Sequence, residues 1–309
     1  MPFEVFLHRN FFYMSIKTNR GILLGVLAAA LWGISGTLGQ YLFEVKNINV
    51  EWLITVRLLI AGFGLLVLAK VTHHNIFTIW SNKKDIAQLL IFSIIGMLGV
   101  QYTYFAAIKH SNAATATVLQ FAGPIMIALF LAIRNKQFPK KNELLAIILA
   151  ILGTFFLVTH GRIDKLSISA TALFYGISSA VTLAIYTLQP RQLLTKYNSA
   201  TVVGWGMFIG GIVFSFVKSP WQVSGICDVS TLSSIAFIIL FATLIAFYSY
   251  LNAVKLIGGQ KTSLLSSAEP LVAVLMSVIW LKTNFLLIDW IGSICIISTV
   301  FLLTRKGEK

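Results

Sequence analysis

Glu269 is the one carboxylate set well inside an apolar run of this 309-residue chain. The other nine (Glu4, Glu44, Glu51, Asp85, Glu143, Asp164, Asp228, Asp289 and Glu308) fall in loops, tails or helix ends. A group that can ionise inside a lipid layer is a functional candidate by default. The chemistry open to Glu269 is carriage of a proton or recognition of a cationic group. A packing acid bonded to a neighbour is the plainer alternative. Arg57 is the matching base within a run. It lies six residues past Glu51, roughly 9 Å into the layer at 1.5 Å per residue. At that depth its long side chain can snorkel to the outer headgroups or make a structural contact, and that reading leads. A site for a substrate carboxylate is second.

Pro124 and Pro270 each sit within an apolar run. Proline has no N–H, so a helix carried through it leaves the carbonyl four residues back, on Gln120 and Ser266, without its donor. In lipid such a carbonyl must be satisfied by protein, water or ligand. The expectation is two helix breaks beside cavity walls at Gln120 and Ser266; a simple packing kink is the alternative. Two stripes of polar and small residues recur at helical spacing: Trp32, Ser35, Gly36, Gly39 and Gln40, and then Tyr175, Ser178, Ser179, Thr182 and Tyr186. Close helix packing accounts for such stripes in a bilayer. A cavity lining clamped by Trp32 and Tyr175 accounts for them as well. Tyr102 and Tyr104, like Tyr248 and Tyr250, are two apart and point about 200° away from each other on a helix. Gln101 shares a face with Tyr104, which favours Tyr104 and Tyr250 for the cavity. Cation–π contact with an amine or ordinary aromatic packing would use those rings.

The elements that must hold these residues are set by composition. The chain is 57% hydrophobic and 11% charged, with a mean hydropathy of +0.85. Soluble domains carry about 25% charged residues, so the solvent this chain is built for is lipid. The formal charge of +14 does not point to nucleic acid, because the bases lie between apolar runs and form no single patch. Ten runs approach the roughly 20 helical residues a bilayer requires: 21–43, 51–69, 87–107, 113–133, 142–160, 168–188, 199–217, 231–253, 262–281 and 287–304. In alternate loops and tails, 17 of the 24 lysines and arginines fall on one side and six on the other. That bias places both termini in the cytoplasm.

The run from Gly21 is too long for a signal peptide's apolar core and is read as a retained helix. Met14 is an alternative start to Met1. Trp52, Trp80, Trp221 and Trp290 lie near run ends, where tryptophans anchor at the membrane interface. Cys227 in a loop and Cys295 within a run are expected to stay unpaired.

The chain also repeats itself. Residues 101–124 and 247–270 superpose without a gap at an offset of 146. Tyr102 falls on Tyr248, Tyr104 on Tyr250, Lys109 on Lys255 and Pro124 on Pro270. Five runs per half is an odd number, so the second half must enter the membrane from the opposite side. Inverted repeats of this kind build many secondary transporters. The expected fold is an all-α membrane protein of ten transmembrane helices in two inverted five-helix repeats, at 21–160 and 168–304. Cytoplasmic tails at 1–20 and 305–309 flank them.

Leu31-Trp32-Gly33, Arg57, the two Tyr-x-Tyr segments and the two proline motifs together resemble the EamA family of the drug/metabolite transporter superfamily over roughly residues 20–305. The resemblance implies a central cavity and transport of small organic metabolites, by efflux. It also marks a departure. The family often has a glutamate just after the fourth and ninth helices, where this chain has Arg134-Asn135-Lys136 and Lys282-Thr283-Asn284.

Enzyme chemistry has no support here. The five histidines fall in tails, loops or helix ends, and there is no His-Glu-x-x-His motif or phosphate-cradling loop. No cofactor and no metal is expected. The expectation is a secondary transporter of an amino acid, amine or related solute, moved by alternating access, with proton coupling through Glu269 left open. A passive facilitator or channel is the alternative. The partners are a small-molecule substrate and the lipid bilayer, with a homodimer left open. The expected substrate-binding set is Trp32, Ser35, Gln40, Tyr104, Gln120, Tyr175, Ser178, Tyr250, Ser266 and Glu269.

Overall fold

The computed structural model describes residues 2–136, 141–162, 167–257, 262, 265–266 and 268–304, and all regular structure among them is helical. Helix α1 (Pro2–Glu44) runs unbroken through what the sequence reading treats as a tail, and its membrane-length apolar part is Thr18–Glu44. Helix α2 (Val50–Val71) follows, opened by Asn49, whose side chain accepts the Trp52 N–H. The next length is built from α3 (Lys83–Ile91), a π-helical stretch (Phe92–Leu98) and α4 (Gly99–His110). Then come α5 (Ala113–Gln120), α6 (Gly123–Asn135) and α7 (Lys141–Thr159).

The second half contains α8 (Ala170–Leu188), the short α9 (Arg191–Lys196) and α10 (Ser199–Phe214). Helix α11 (Val229–Ala236), a second π-helical stretch (Phe237–Ile245) and α12 (Ala246–Ile257) follow. Helices α13 (Ala268–Ile279) and α14 (Leu287–Thr304) complete the described chain. Among the described residues six helical lengths are long and apolar enough to cross a membrane, and four shorter apolar helices accompany them. Large apolar side chains such as Phe63, Ile133, Ile151, Phe216 and Ile294 are exposed on the outside of the bundle. That is the pattern of a protein whose outer surface is solvated by lipid.

Corresponding elements of the two halves make corresponding contacts. Helix α1 packs on α12 and α13, while α8 packs on α4, α5 and α6. Helices α2 and α10 cross antiparallel: Gly62 abuts the backbone of Phe208 and Gly204, and Gly211 abuts that of Leu59. Small residues let backbones approach where lipid supplies no hydrophobic drive between helices. The offset of 146 carries the first π-helical stretch onto 238–244, inside the second.

The proline reading needs correction. At Pro124 the helix stops at Gln120 and restarts at Gly123, so the proline sits in the first turn of α6. There its missing N–H is an orphan in any case. The Ser266 carbonyl, expected to be free, accepts the Glu269 N–H at 2.9 Å. Trp52 is not an interfacial anchor either: it is buried, and its indole N–H donates to the Pro220 carbonyl at 2.8 Å. Trp221 is exposed. Both cysteines are free.

At one end of the bundle the loops after α1 and α10 are tied together. Lys46 donates to Asp228 at 2.6 Å, and the Ile226 N–H donates to the Lys46 carbonyl at 2.8 Å. The Lys46 ammonium, followed by N–H and hydroxyl donors from Thr231 and Ser230, holds the Asp228 carboxyl well below the usual carboxylate range. The same contact raises Lys46 above 10.5. A depressed carboxylate stabilises the fold above its ordinary range and loses that contribution as pH falls toward the depressed value. A raised lysine contributes below its ordinary value and loses it as pH rises past it. Lys46→Met should therefore lower Tm slightly at about pH 7, and the difference from the parent should shrink by about pH 3. Thermal melts in detergent at the two pH values check this.

Candidate functional site

A cavity of about 450 Å³ lies at the centre of the bundle. Helix α1 contributes Trp32 and Ser35, α2 contributes Arg57, and α4 contributes Gln101 and Tyr104. Gln120 and Phe121 come from the α5–α6 break, and Leu183, Tyr186 and Thr187 from α8. Phe247 and Tyr250 on α12, then Ser266 and Glu269, close the ring from the second half. The cavity reaches one end of the bundle, where Pro190, Leu194 and Ser199 line it.

The two charges come from opposite halves. Arg57 is 5% exposed, its Nε donates to Thr243 Oγ1 at 3.0 Å, and its guanidinium lies 5.1 Å from the Phe105 ring centre. Thr243 is placed by the π-helical stretch, where its hydroxyl donates to the Ile238 carbonyl five residues back. Of the two leading readings of Arg57, snorkelling does not fit, because the side chain is buried, while a structural contact does, because it turns inward to Thr243 on the far half. Arg57 and Glu269 line the same cavity. Both residues are among the described ones, and no direct ion pair joins Arg57 to Glu269. A guanidinium and a carboxylate that line one cavity without pairing directly can be bridged by a ligand bearing both complementary charges.

Packing fixes the walls. Gly33 on α1 admits the backbone of Glu269; a Cβ there would meet the Glu269 carbonyl oxygen at 2.7 Å. Gly36 likewise gives room to the Tyr104 hydroxyl. That hydroxyl donates to Thr117 Oγ1 at 2.8 Å, and Thr117 in turn donates to the Ala113 carbonyl. Trp32 packs on Phe247 and Tyr250, both with ring centres at 5.4 Å. Tyr250 and Ser266 line the cavity together, and Tyr186 stacks on Phe92. Ser35 Oγ is buried with no hydrogen-bond partner among the described residues. Such a group costs free energy unless a ligand or water satisfies it.

The structure therefore brings together Trp32, Ser35, Arg57, Tyr104, Gln120, Tyr250, Ser266 and Glu269. Three others of the expected set lie elsewhere. The Gln40 amide bonds to Glu44, and its oxygen accepts the Ala113 N–H at 2.9 Å, tying α1 to the start of α5. Tyr175 lines a different cavity, beside Tyr102. Ser178 lies outside the central lining; its carbonyl accepts from Thr182, and the Thr182 hydroxyl meets Thr103 across the α8–α4 contact. Tyr186 and Thr187 hold the α8 wall in place of Tyr175. Tyr186 ends the stripe seen in the sequence, whereas Thr243 gave no signal, because its role depends on a π turn.

Comparison with known proteins agrees with this geometry. The model of the EamA-like transporter family matches the chain twice, over residues 19–159 and 170–305. The chain is 41% identical over 297 residues to a protein of Salmonella typhimurium named as the uncharacterized inner membrane transporter YicL, covering 95% of this chain and 98% of that one. It is 23% identical over 192 residues to the threonine/homoserine exporter RhtA of Salmonella typhimurium, covering 62% of each. A solved structure described only as "Crystal structure of protein" superposes with a TM-score of 0.62 at 16% identity, over 91% of this chain and 95% of that chain, which supports the fold alone. With a lipid-facing bundle, a central charged cavity and two family matches in tandem, this chain belongs to the EamA-like transporter family and is a multi-pass membrane transporter.

Proposed function

We propose that the chain exports a small zwitterionic solute of the amino-acid type, by alternating access between two inverted five-helix repeats at 21–160 and 168–304. The observation that carries this reading is the pair Arg57 and Glu269, set on opposite halves of one cavity without an ion pair between them. A solute with a carboxylate and an ammonium group complements both, and the rings of Trp32, Tyr104 and Tyr250 supply apolar walls and cation–π faces. The six long and four shorter apolar helices would make the ten spans. The tandem family matches and the antiparallel α2–α10 crossing favour an inverted duplication. With both termini in the cytoplasm, as the lysine and arginine bias implies, the Pro190–Leu194–Ser199 end of the cavity opens inward. Export is favoured by the exporter name of the relative RhtA.

The test is efflux of labelled L-threonine from liposomes containing the purified protein. Saturable efflux, competed by other small amino acids, is the expected result. Failure of threonine, homoserine and other small amino acids to move would overturn the reading. Non-saturable, bidirectional leakage would mark a facilitator instead.

A further inference from the structure

A second cavity, of about 360 Å³, lies on the other side of α4 and at the other end of α8. Helix α4 divides the two: Val100, Gln101 and Tyr104 face the central cavity, while Tyr102, Ala106 and Lys109 face the second. Along α8, Tyr175 and Tyr186 mark the two ends, eleven residues or about 16 Å apart. The loop after α1 and the start of α2 complete the second cavity with Asn47, Asn49 and Glu51.

Its lining carries charge of both signs. Glu51 stands in the first turn of α2 and lines the cavity with Tyr102. Lys109 and His110 end α4. The Lys109 ammonium donates to the Phe43 carbonyl at 3.2 Å, and neither it nor Glu51 is in an ion pair among the described residues. The Tyr175 ring stacks on His110 with an interplanar angle of 7° and meets Tyr102 edge-on at 5.8 Å. The two tyrosine hydroxyls are 3.4 Å apart.

A carboxylate, an ammonium and two tyrosine rings around one small space repeat, with different residues, the chemistry of the central cavity. We infer that this chamber is a second binding site for the same small zwitterion, at the outer end of the transporter. Glu51 and the tyrosine faces hold the ammonium; Lys109 and the His110 imidazole hold the carboxylate. The ligand class rests on the function proposed above. The site itself rests on the lining of this cavity. In an exporter, a solute leaving the central cavity meets this chamber next once α4 and α8 part, so it serves as a station before release.

Equilibrium dialysis of labelled L-threonine against the purified wild type, up to millimolar concentration, tests the site. Two classes of binding site are expected. The double variant Glu51→Gln/Lys109→Gln should weaken one class tenfold or more and leave the other within twofold, as expected when charge-assisted hydrogen bonds are lost. Arg57→Gln should do the converse. An isotherm for the Glu51/Lys109 variant identical to that of the wild type overturns the second site and leaves the central reading standing. Binding that responds to the Glu51/Lys109 variant but not to Arg57→Gln overturns the central reading and leaves this one standing. Absence of threonine binding to the wild type overturns both. N-acetylthreonine and threonine methyl ester, each lacking one charge, should compete at least tenfold less well; equal competition would overturn the zwitterion class.

Discussion

Replacing Arg57 with glutamine should cut threonine efflux by about a hundredfold or more while leaving the bundle folded. Arg57 is a buried cation that donates to the Thr243 hydroxyl and has no paired carboxylate among the described residues. Its removal relieves a desolvation cost, so Tm should hold steady or rise. A bound substrate carboxylate would then face the cavity without its partner. Leaving one member of such a pair alone costs about 3–5 kcal/mol, which is a factor of about a hundred to a few thousand in binding. Arg57→Lys keeps the charge but loses the Nε contact to Thr243 and the planar fork, so an intermediate loss of about tenfold is expected. Initial efflux rates and melting temperatures of the three proteins provide the check. A glutamine variant within threefold of the parent would make Arg57 a packing residue and remove the carboxylate half of the proposed site.

The same arginine shows where reading from sequence runs out. Its place along α2, six residues past Glu51, is read directly from the sequence. Its direction was not available, because it depends on Thr243, 186 residues away. Thr243 is in turn aimed by a π-helical stretch that no residue pattern announces. Tyr104 and Tyr250 were separable from Tyr102 and Tyr248 because helical geometry alone sets neighbours two apart on opposite faces. Both face the cavity, whereas Tyr248 is half exposed on the outside. Trp32 and Tyr175 each open a stripe of polar and small residues, and such a stripe gives spacing but not depth. Trp32 lies midway along Thr18–Glu44, while Tyr175 is in the second turn of α8. The membrane class and the internal duplication were legible because apolar length and a gapless repeat are one-dimensional signals. A break at Pro124 was legible too, but its form was not: the helix stops at Gln120 and restarts at Gly123, which puts the proline in a first turn.

Glu269→Gln should abolish the response of efflux to an imposed proton gradient. Glutamine keeps the shape and hydrogen-bonding capacity of a protonated glutamic acid, but it can neither release a proton nor carry charge. The backbone at this position is anchored by its N–H to the Ser266 carbonyl and by the close approach of Gly33, so the substitution should not move the helix. If Glu269 holds a proton on one face of the cycle and the substrate ammonium on the other, each solute leaving is exchanged for a proton entering. Efflux from liposomes should then accelerate severalfold when the outer medium is made acid, and slow when the interior is made acid. In the glutamine variant the ratio of rates with and without the gradient should be about one. The absolute rate should also fall by about tenfold or more, since a charge-assisted hydrogen bond to the ammonium contributes about 1.5–3 kcal/mol. Glu269→Asp, which keeps a titrating carboxyl on a shorter stem, should retain the gradient response at a reduced rate. Persistence of full acceleration in the glutamine variant would place the proton on another group, and would leave Glu269 with substrate recognition alone.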